Sequence, residues 1–365
     1  MLSGIAKGDG MGVHHFEFTG SPARIVFGRG SMSRTSEALD TLNCSRALVL
    51  STDAQKDSAD NLACALGKKC LGVYAKAVMH TPVEVTVAAM EVVETQRVDC
   101  LISFGGGSTM GLGKAIAYRT DLPLIAIPTT YAGSEVTPVL GQTENGQKTA
   151  LRSSRVLPEL VLYDPDLTAS LPLSMSVTSG INAIAHGVEA LYAKDRNPIS
   201  SMMASEGVRA LAEALPELVK RSNDPDARDQ ALYGAWLCGA VLGQVGMALH
   251  HKLCHTLGGM FDLPHAETHT VILPHATAFN AAEVPDLLRP VGDAVGAAHP
   301  GRGLYDWAVR LGAPTSLRDL GMPETGIKPA TKQALANPYW NPRRLERDSI
   351  EALIRAAYYG NPPQE

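Results

Sequence analysis

From about residue 22 to 170, short apolar, β-branched runs alternate with longer stretches whose apolar positions recur every three or four residues. Arg24 to Gly28, Arg46 to Thr52, Leu71 to Val78 and Val98 to Phe104 read as strands, and the alternation is the signature of a parallel sheet covered by helices. The clearest unit leaves Phe104 through Gly105-Gly106-Gly107, enters a helix over Met110 to Tyr118 and returns in a strand ending at Thr130. Asn145-Gly146 marks a hairpin turn, and a strand with a proline-punctuated turn closes this half at Pro172. Beyond it the period changes. Residues 174–194, 198–222 and 226–257 read as three helices, the last stopped by Gly258-Gly259, with shorter helices expected at 276–283, 301–312, 327–336 and 346–359. The predicted organisation is a disordered lead-in over 1–14, an α/β dinucleotide-binding domain over 15–172 and an all-α catalytic domain over 173–365.

Length agrees with this division, because 365 residues exceed what one ordinary core accommodates. Hydrophobic residues make up 45% and charged residues 19%, which points to a globular chain. The net charge of -5, without a basic run, supplies no surface for neutralising phosphates and argues against nucleic acid as a partner. Six cysteines form no CxxC pair, as expected of reduced thiols in the cytoplasm. No window approaches the ~18 uninterrupted apolar residues of a membrane span.

The glycine turn carries the first candidate chemistry. Gly106, Gly107 and Ser108 lie between a strand and a helix start, where backbone N–H groups and the helix dipole favour a pyrophosphate. A tight structural turn would need the same glycines. Asp53 ends an earlier strand, where a carboxylate accepts from a ribose hydroxyl or simply caps the next helix. Thr129, Thr130 and Thr137 crowd the loop after another strand, and Lys148 follows the hairpin turn within reach of a nucleotide or of solvent.

A second constellation lies in the helical half. Asn182 and His186 are four apart and share a helix face, and His251 and His255 repeat that spacing. His265 follows in a His-rich turn with His269. One such histidine is usually core; two pairs and a turn point to a site, and a divalent metal is its obvious occupant. Its fourth position, however, is Asn182, a neutral amide that binds Fe²⁺ or Zn²⁺ poorly.

With GGGSTMGLGKA (105–115), PTTYAGSEVTP (128–138), GINAIAHGVEALYA (180–193) and HHKLCHTLGGMFDLPHAETHTVILPH (250–275), the chain resembles the iron-containing alcohol dehydrogenases over nearly its whole length. Within them it resembles the maleylacetate reductases. The resemblance implies the dehydroquinate synthase-like fold, an N-terminal Rossmann-like domain followed by helices, with the active site between them. It also implies NADH or NADPH as cofactor and a homodimer. Metal-dependent members hold their ion with one Asp and three His, at positions matching Asn182, His186, His251 and His265. The Asp is missing here, an acidic residue of their glycine loop is Gly111, and their threonine-rich loop is one residue longer. These departures are shared by the maleylacetate reductase branch, and imply that metal is not required. Its substrate is a small unsaturated dicarboxylate from aromatic-compound degradation, which places enolate stabilisation on His186, His251 and His265 and protonation on His255. Lys252 would meet a carboxylate or lie on the surface, Cys254 would line the pocket or fill the core, and Asn182 would face substrate. Two alternatives stay open: a metal-dependent dehydrogenase of small aldehydes or ketones, and a nucleotide-binding regulatory protein without catalysis.

Overall fold

The computed structural model describes residues 16, 18, 20, 24–144, 147–337 and 339–364; the expected lead-in and the Asn145-Gly146 turn lie outside them. The first half interleaves strands β1 (Arg24–Phe27), β2 (Ala47–Leu50), β3 (Cys70–Tyr74), β4 (Cys100–Gly105), β5 (Leu124–Pro128), β6 (Val139–Glu144), β7 (Gln147–Arg152) and β8 (Leu160–Tyr163) with helices α1 (Thr35–Thr41), α2 (Lys56–Leu66), α3 (Val83–Gln96) and α4 (Gly107–Thr120). Six strands form one parallel sheet in the order β1-β8-β5-β4-β2-β3, and β6 pairs with β7 as an antiparallel hairpin. Every residue of β4 and β5 is buried because both faces are covered. Ile102, Phe104 and Ile125 pack on one side with Leu62 of α2, and Leu101 and Leu124 on the other with Leu112 and Ile116 of α4. The chain runs outward from β2 to β3 and in the opposite direction from β4 to β5. The reversal between β2 and β4 opens a crevice at their carboxyl ends, the usual ligand position in such sheets.

After β8 the chain is helical: α5 (Leu173–Tyr192), α6 (Pro198–Lys220), α7 (Pro225–Gln244), α8 (Leu249–Phe261), α9 (His265–Ala281), α10 (Pro285–Val295), α11 (Pro300–Arg310), α12 (Ile327–Ala336) and α13 (Arg347–Tyr359). The fold is thus the expected α/β domain followed by an all-α one. Asn197 starts α6 with a reciprocal capping box, its side chain accepting from Ser200 N while Ser200 returns a bond. Two corrections matter for the site. The helix expected over 226–257 is two helices meeting at 93°, α7 and α8, broken at residues 245–248. There Asp195 accepts from Gly246 N and Glu189 from Ala248 N, so side chains of α5 and its following turn take amides that a continuous helix would have used internally. α8 also runs on through Gly258 and Gly259 to Phe261, where Asp262 takes the left-handed conformation. His265, expected in a turn, is the first residue of α9, which continues through Pro274.

Candidate active site

The glycine side of the cleft is made of backbone. β4 ends at Gly105, with φ 148, and α4 begins at Gly107 without a side-chain cap, so its first amides are not consumed by one. A Cβ on Gly105 would come within 2.5 Å of Thr109 Oγ1 and 2.7 Å of Gln55 Oε1, and one on Gly106 within 2.9 Å of the Thr130 methyl. Gly107 faces open space. Gln55 in turn donates to buried Thr129 Oγ1 at 2.7 Å, and Asp53 lies exposed two residues before it. The residues of the β2, β4 and β5 carboxyl ends therefore converge, leaving a glycine-floored helix start with which a nucleotide pyrophosphate is compatible. Asp53 makes no capping bond to the turns after it. Thr137 is placed differently from the expectation: it is buried, accepts from Lys114 Nζ at 3.0 Å and donates to Ser134 O at 3.1 Å. Its hydroxyl is committed inside the protein. The side chain of Lys148 lies outside the described residues. Where the resemblance expects an acidic residue, a Cβ on Gly111 would stand 2.1 Å from Thr81 Oγ1, so that volume is already filled.

The opposite side is made of imidazole. Asn182 and His186 of α5 and His251 of α8 are buried, with the His186 and His251 ring centres 5.2 Å apart. His255 follows one turn after His251, 6.1 Å between centres, and is exposed, as is His265. Asn182 Oδ1, His186 Nδ1 and His251 Nε2 are buried without a hydrogen-bond partner, polar atoms that a ligand would satisfy. A cavity of about 130 Å³ is lined by His80 and Thr143 from the first domain and by Cys254, His255, Gly258, His265 and Thr268 from the second. It spans the two domains, with His255 and His265 on its wall.

Glu189, which sequence reasoning passed over, organises this side. Fully buried one turn after His186, it accepts from His251 Nδ1 at 2.7 Å, from the amides of Ala248 at 3.0 Å and His250 at 2.8 Å, and from Tyr192 Oη at 3.1 Å. Burial alone would raise its carboxyl, but the hydrogen bond and charge of His251, with His250 and the Ala248 amide, bring it down to about 2. Burial, followed by neighbouring imidazoles, pushes His186 and His269 well below the ordinary 6.5, and burial takes His250 to about 3. His250 was the other omission, and His269 was noted beside His265 without a role. Their Nε2 and Nδ1 are hydrogen-bonded at 2.9 Å, with Cys254 Sγ at 3.7 Å from the former.

Among the described residues, the His, Cys, Asp and Glu donors that gather within 4.8 Å of one another in threes are those of His250, Cys254 and His269, not His186, His251 and His265. The 2.9 Å between His250 and His269 is a hydrogen bond, shorter than the ~3.3 Å that separates ligands around a tetrahedral ion with bonds of ~2.0 Å. At the family position Asn182 brings no charge, and the nearby carboxylate of Glu189 is occupied by His251 and backbone. This donor set does not fit a divalent ion. Cys254 is buried in an apolar cluster with Leu253 and Leu257, while Lys252 Nζ lies 5.6 Å from the Tyr339 ring centre, a cation–π contact.

Residues 22–165 match the family described as iron-containing alcohol dehydrogenase, and 176–358 match the C-terminal part of the Fe-containing alcohol dehydrogenase family. A maleylacetate reductase of Rhizobium sp. strain MTP-10005 is 58% identical over 349 residues, 96% of this chain and 99% of that one. The crystal structure of maleylacetate reductase from Agrobacterium tumefaciens superposes with a TM-score of 0.93 at 56% identity, covering 96% of this chain and 100% of the other. An iron-containing alcohol dehydrogenase structure from Corynebacterium glutamicum gives 0.91 at 39% identity, covering 96% and 98%.

Proposed function

This chain belongs to the iron-containing alcohol dehydrogenase family, and we propose that within it the protein reduces the C=C bond of maleylacetate to give 3-oxoadipate with NADH or NADPH. Extended identity to maleylacetate reductases supports the substrate; the observation that carries the metal-independent mechanism is Asn182, buried with an unpartnered amide oxygen where metal-dependent members have a carboxylate. When bound, the nicotinamide cofactor would supply the hydride that the carbon β to the ketone takes up. Gly106, Gly107 and Ser108 would hold its pyrophosphate and Asp53 its ribose, with Thr129 and Thr130 forming the wall beside them.

Reduction of an enone leaves negative charge on the ketone oxygen, and hydrogen-bond donors in a site closed to water stabilise it. This role falls in our reading to His186 and His251, with His265. Because His251 Nδ1 is bound to Glu189, donation from Nε2 requires the doubly protonated ring, whose counter-charge Glu189 supplies. His255, on the cavity wall and in contact with solvent, protonates the α-carbon. Asn182 faces the substrate, Lys252 neutralises a carboxylate and Cys254 closes the floor. A homodimer, a cytoplasmic location and the absence of nucleic-acid or membrane partners belong to the same reading, as does a domain division near Pro172.

The test is NADH oxidation by maleylacetate on metal-stripped protein. Turnover equal to that of untreated protein is expected. Stoichiometric metal in the purified protein, with activity lost to chelator and restored by Fe²⁺ or Zn²⁺, would reject the metal-free mechanism, and activity on small aldehydes instead of maleylacetate would reject the substrate.

A further inference from the structure

The threonine-rich loop between β5 and β6 is held from both domains. From α4, the Lys114 ammonium, 1% exposed, donates to the carbonyls of Ser134, Thr137 at 2.8 Å and Val139 at 2.9 Å, and to Thr137 Oγ1 at 3.0 Å. Its three N–H groups are thus shared among four oxygens. From α7, buried Arg228 donates to Tyr131 Oη at 3.1 Å and to Ser176 Oγ at 2.8 Å. Between these anchors Gly133, with φ 75, lies against Gly239: a Cβ on Gly133 would come within 2.8 Å of Gly239 Cα and 3.6 Å of His186 Nδ1. The start of the loop carries Thr130, whose methyl covers Gly106. One ten-residue loop, 129–138, thereby touches the glycine turn at one end and His186 in its middle.

A lysine is an expensive way to fill this space, since an ammonium withdrawn from water is tolerated only with full hydrogen bonding. The loop explains the choice: its carbonyls point inward without a sheet ladder to receive them, and buried acceptors need donors. Glu135 is buried nearby, but its Oε1 accepts from Tyr163 Oη at 2.7 Å. The hydrogen bonds of Lys114 among the described residues all go to the loop and the first residue of β6.

We propose that Lys114 is a positioning residue for the nicotinamide nucleotide, fixing residues 129–139 in the shape that sets Thr130 beside the glycine turn and Gly133 beside His186. The proposal rests on reading the glycine turn as the nucleotide site. Its test compares NADH dissociation constants and steady-state kinetics of the wild type, Lys114→Met and Lys114→Arg. Lys114→Met should raise both the Kd and KM for NADH about tenfold or more, with kcat at saturation changed less than about threefold, and Lys114→Arg should recover part of the loss because it keeps a buried cation. A folded Lys114→Met with wild-type NADH affinity overturns the proposal. Should that variant fail to fold, Thr137→Val removes one acceptor of Lys114, along with the hydroxyl's own bond to Ser134 O, and should weaken NADH about twofold to threefold; unchanged affinity there overturns it equally. A wild-type protein that binds no NADH would sink the nucleotide reading and this assignment together, whereas wild-type binding that survives both substitutions sinks the Lys114 assignment alone.

Discussion

The two walls of the cleft are built on opposite plans. The glycine wall works by what is missing: Gly105, Gly106 and Gly107 leave room for backbone amides, and at Gly105 and Gly106 the adjoining side chains of Gln55, Thr109 and Thr130 already occupy the space a Cβ would take. The histidine wall works by what is crowded in, with Asn182, His186, Glu189, His250, His251 and His269 all buried and most of the imidazoles held neutral by desolvation. Substitutions on the first wall should therefore act on cofactor affinity, and those on the second on turnover and on the acid stability of the fold.

The largest effect expected is at His255. Replacing it by Ala should lower kcat by roughly 10² to 10⁴, the usual worth of a proton donor, while KM for NADH moves little. Steady-state rates at saturating NADH decide it, and unchanged turnover would remove His255 from the mechanism. Next in size is Gly106→Ala, whose methyl must displace Thr130; KM for NADH should rise about tenfold or more with kcat largely kept. An equal loss in kcat with KM unchanged would erase the distinction between the walls.

The last effect needs no substitution and is on stability. Burial depresses His250 to about 3 and His275 to about 4 from 6.5, and His186 and His269 move the same way. Below pH 6.5 the unfolded chain takes up protons that these native rings refuse, so stability is full above that pH and falls as pH drops toward the folded values. Each such group contributes a slope of up to about 1.4 kcal/mol per pH unit within its window. Glu189 opposes nothing here, because its lowered carboxyl is lost only below its ordinary 4.5. Thermal unfolding should show Tm dropping steeply from pH 6.5 to 4.5; a flat profile would mean that the cluster is charged or hydrated in the native protein.

What was legible in the chain follows the same division. Strand and helix periods and the glycine turn depend on neighbours in sequence, and β1, β4, α4, α5 and α12 lie where the pattern predicts them. The break between α7 and α8 was not legible, because the partners that make it, Glu189 and Asp195, come from more than fifty residues away. The helix expected over 276–283 begins earlier, at His265, and runs through Pro274. Asn182, His186, His251 and His255 declared themselves by spacing. Lys114, Glu189 and Arg228 did not, since a charged residue on a helix looks solvent-facing until a loop or a second helix is folded over it.

The corner between α7 and α8 also governs how this site tolerates changes in chain length. Each residue added within α8 ahead of His251 would rotate the histidines by ~100° about the helix axis and carry them off the cleft. A residue added at 245–248 meets no helical register to disturb, so the corner separates the length of α7 from the angular phase of α8. Insertions and deletions between the two helical layers should collect at this corner, leaving the facing of His251 and His255 unaltered.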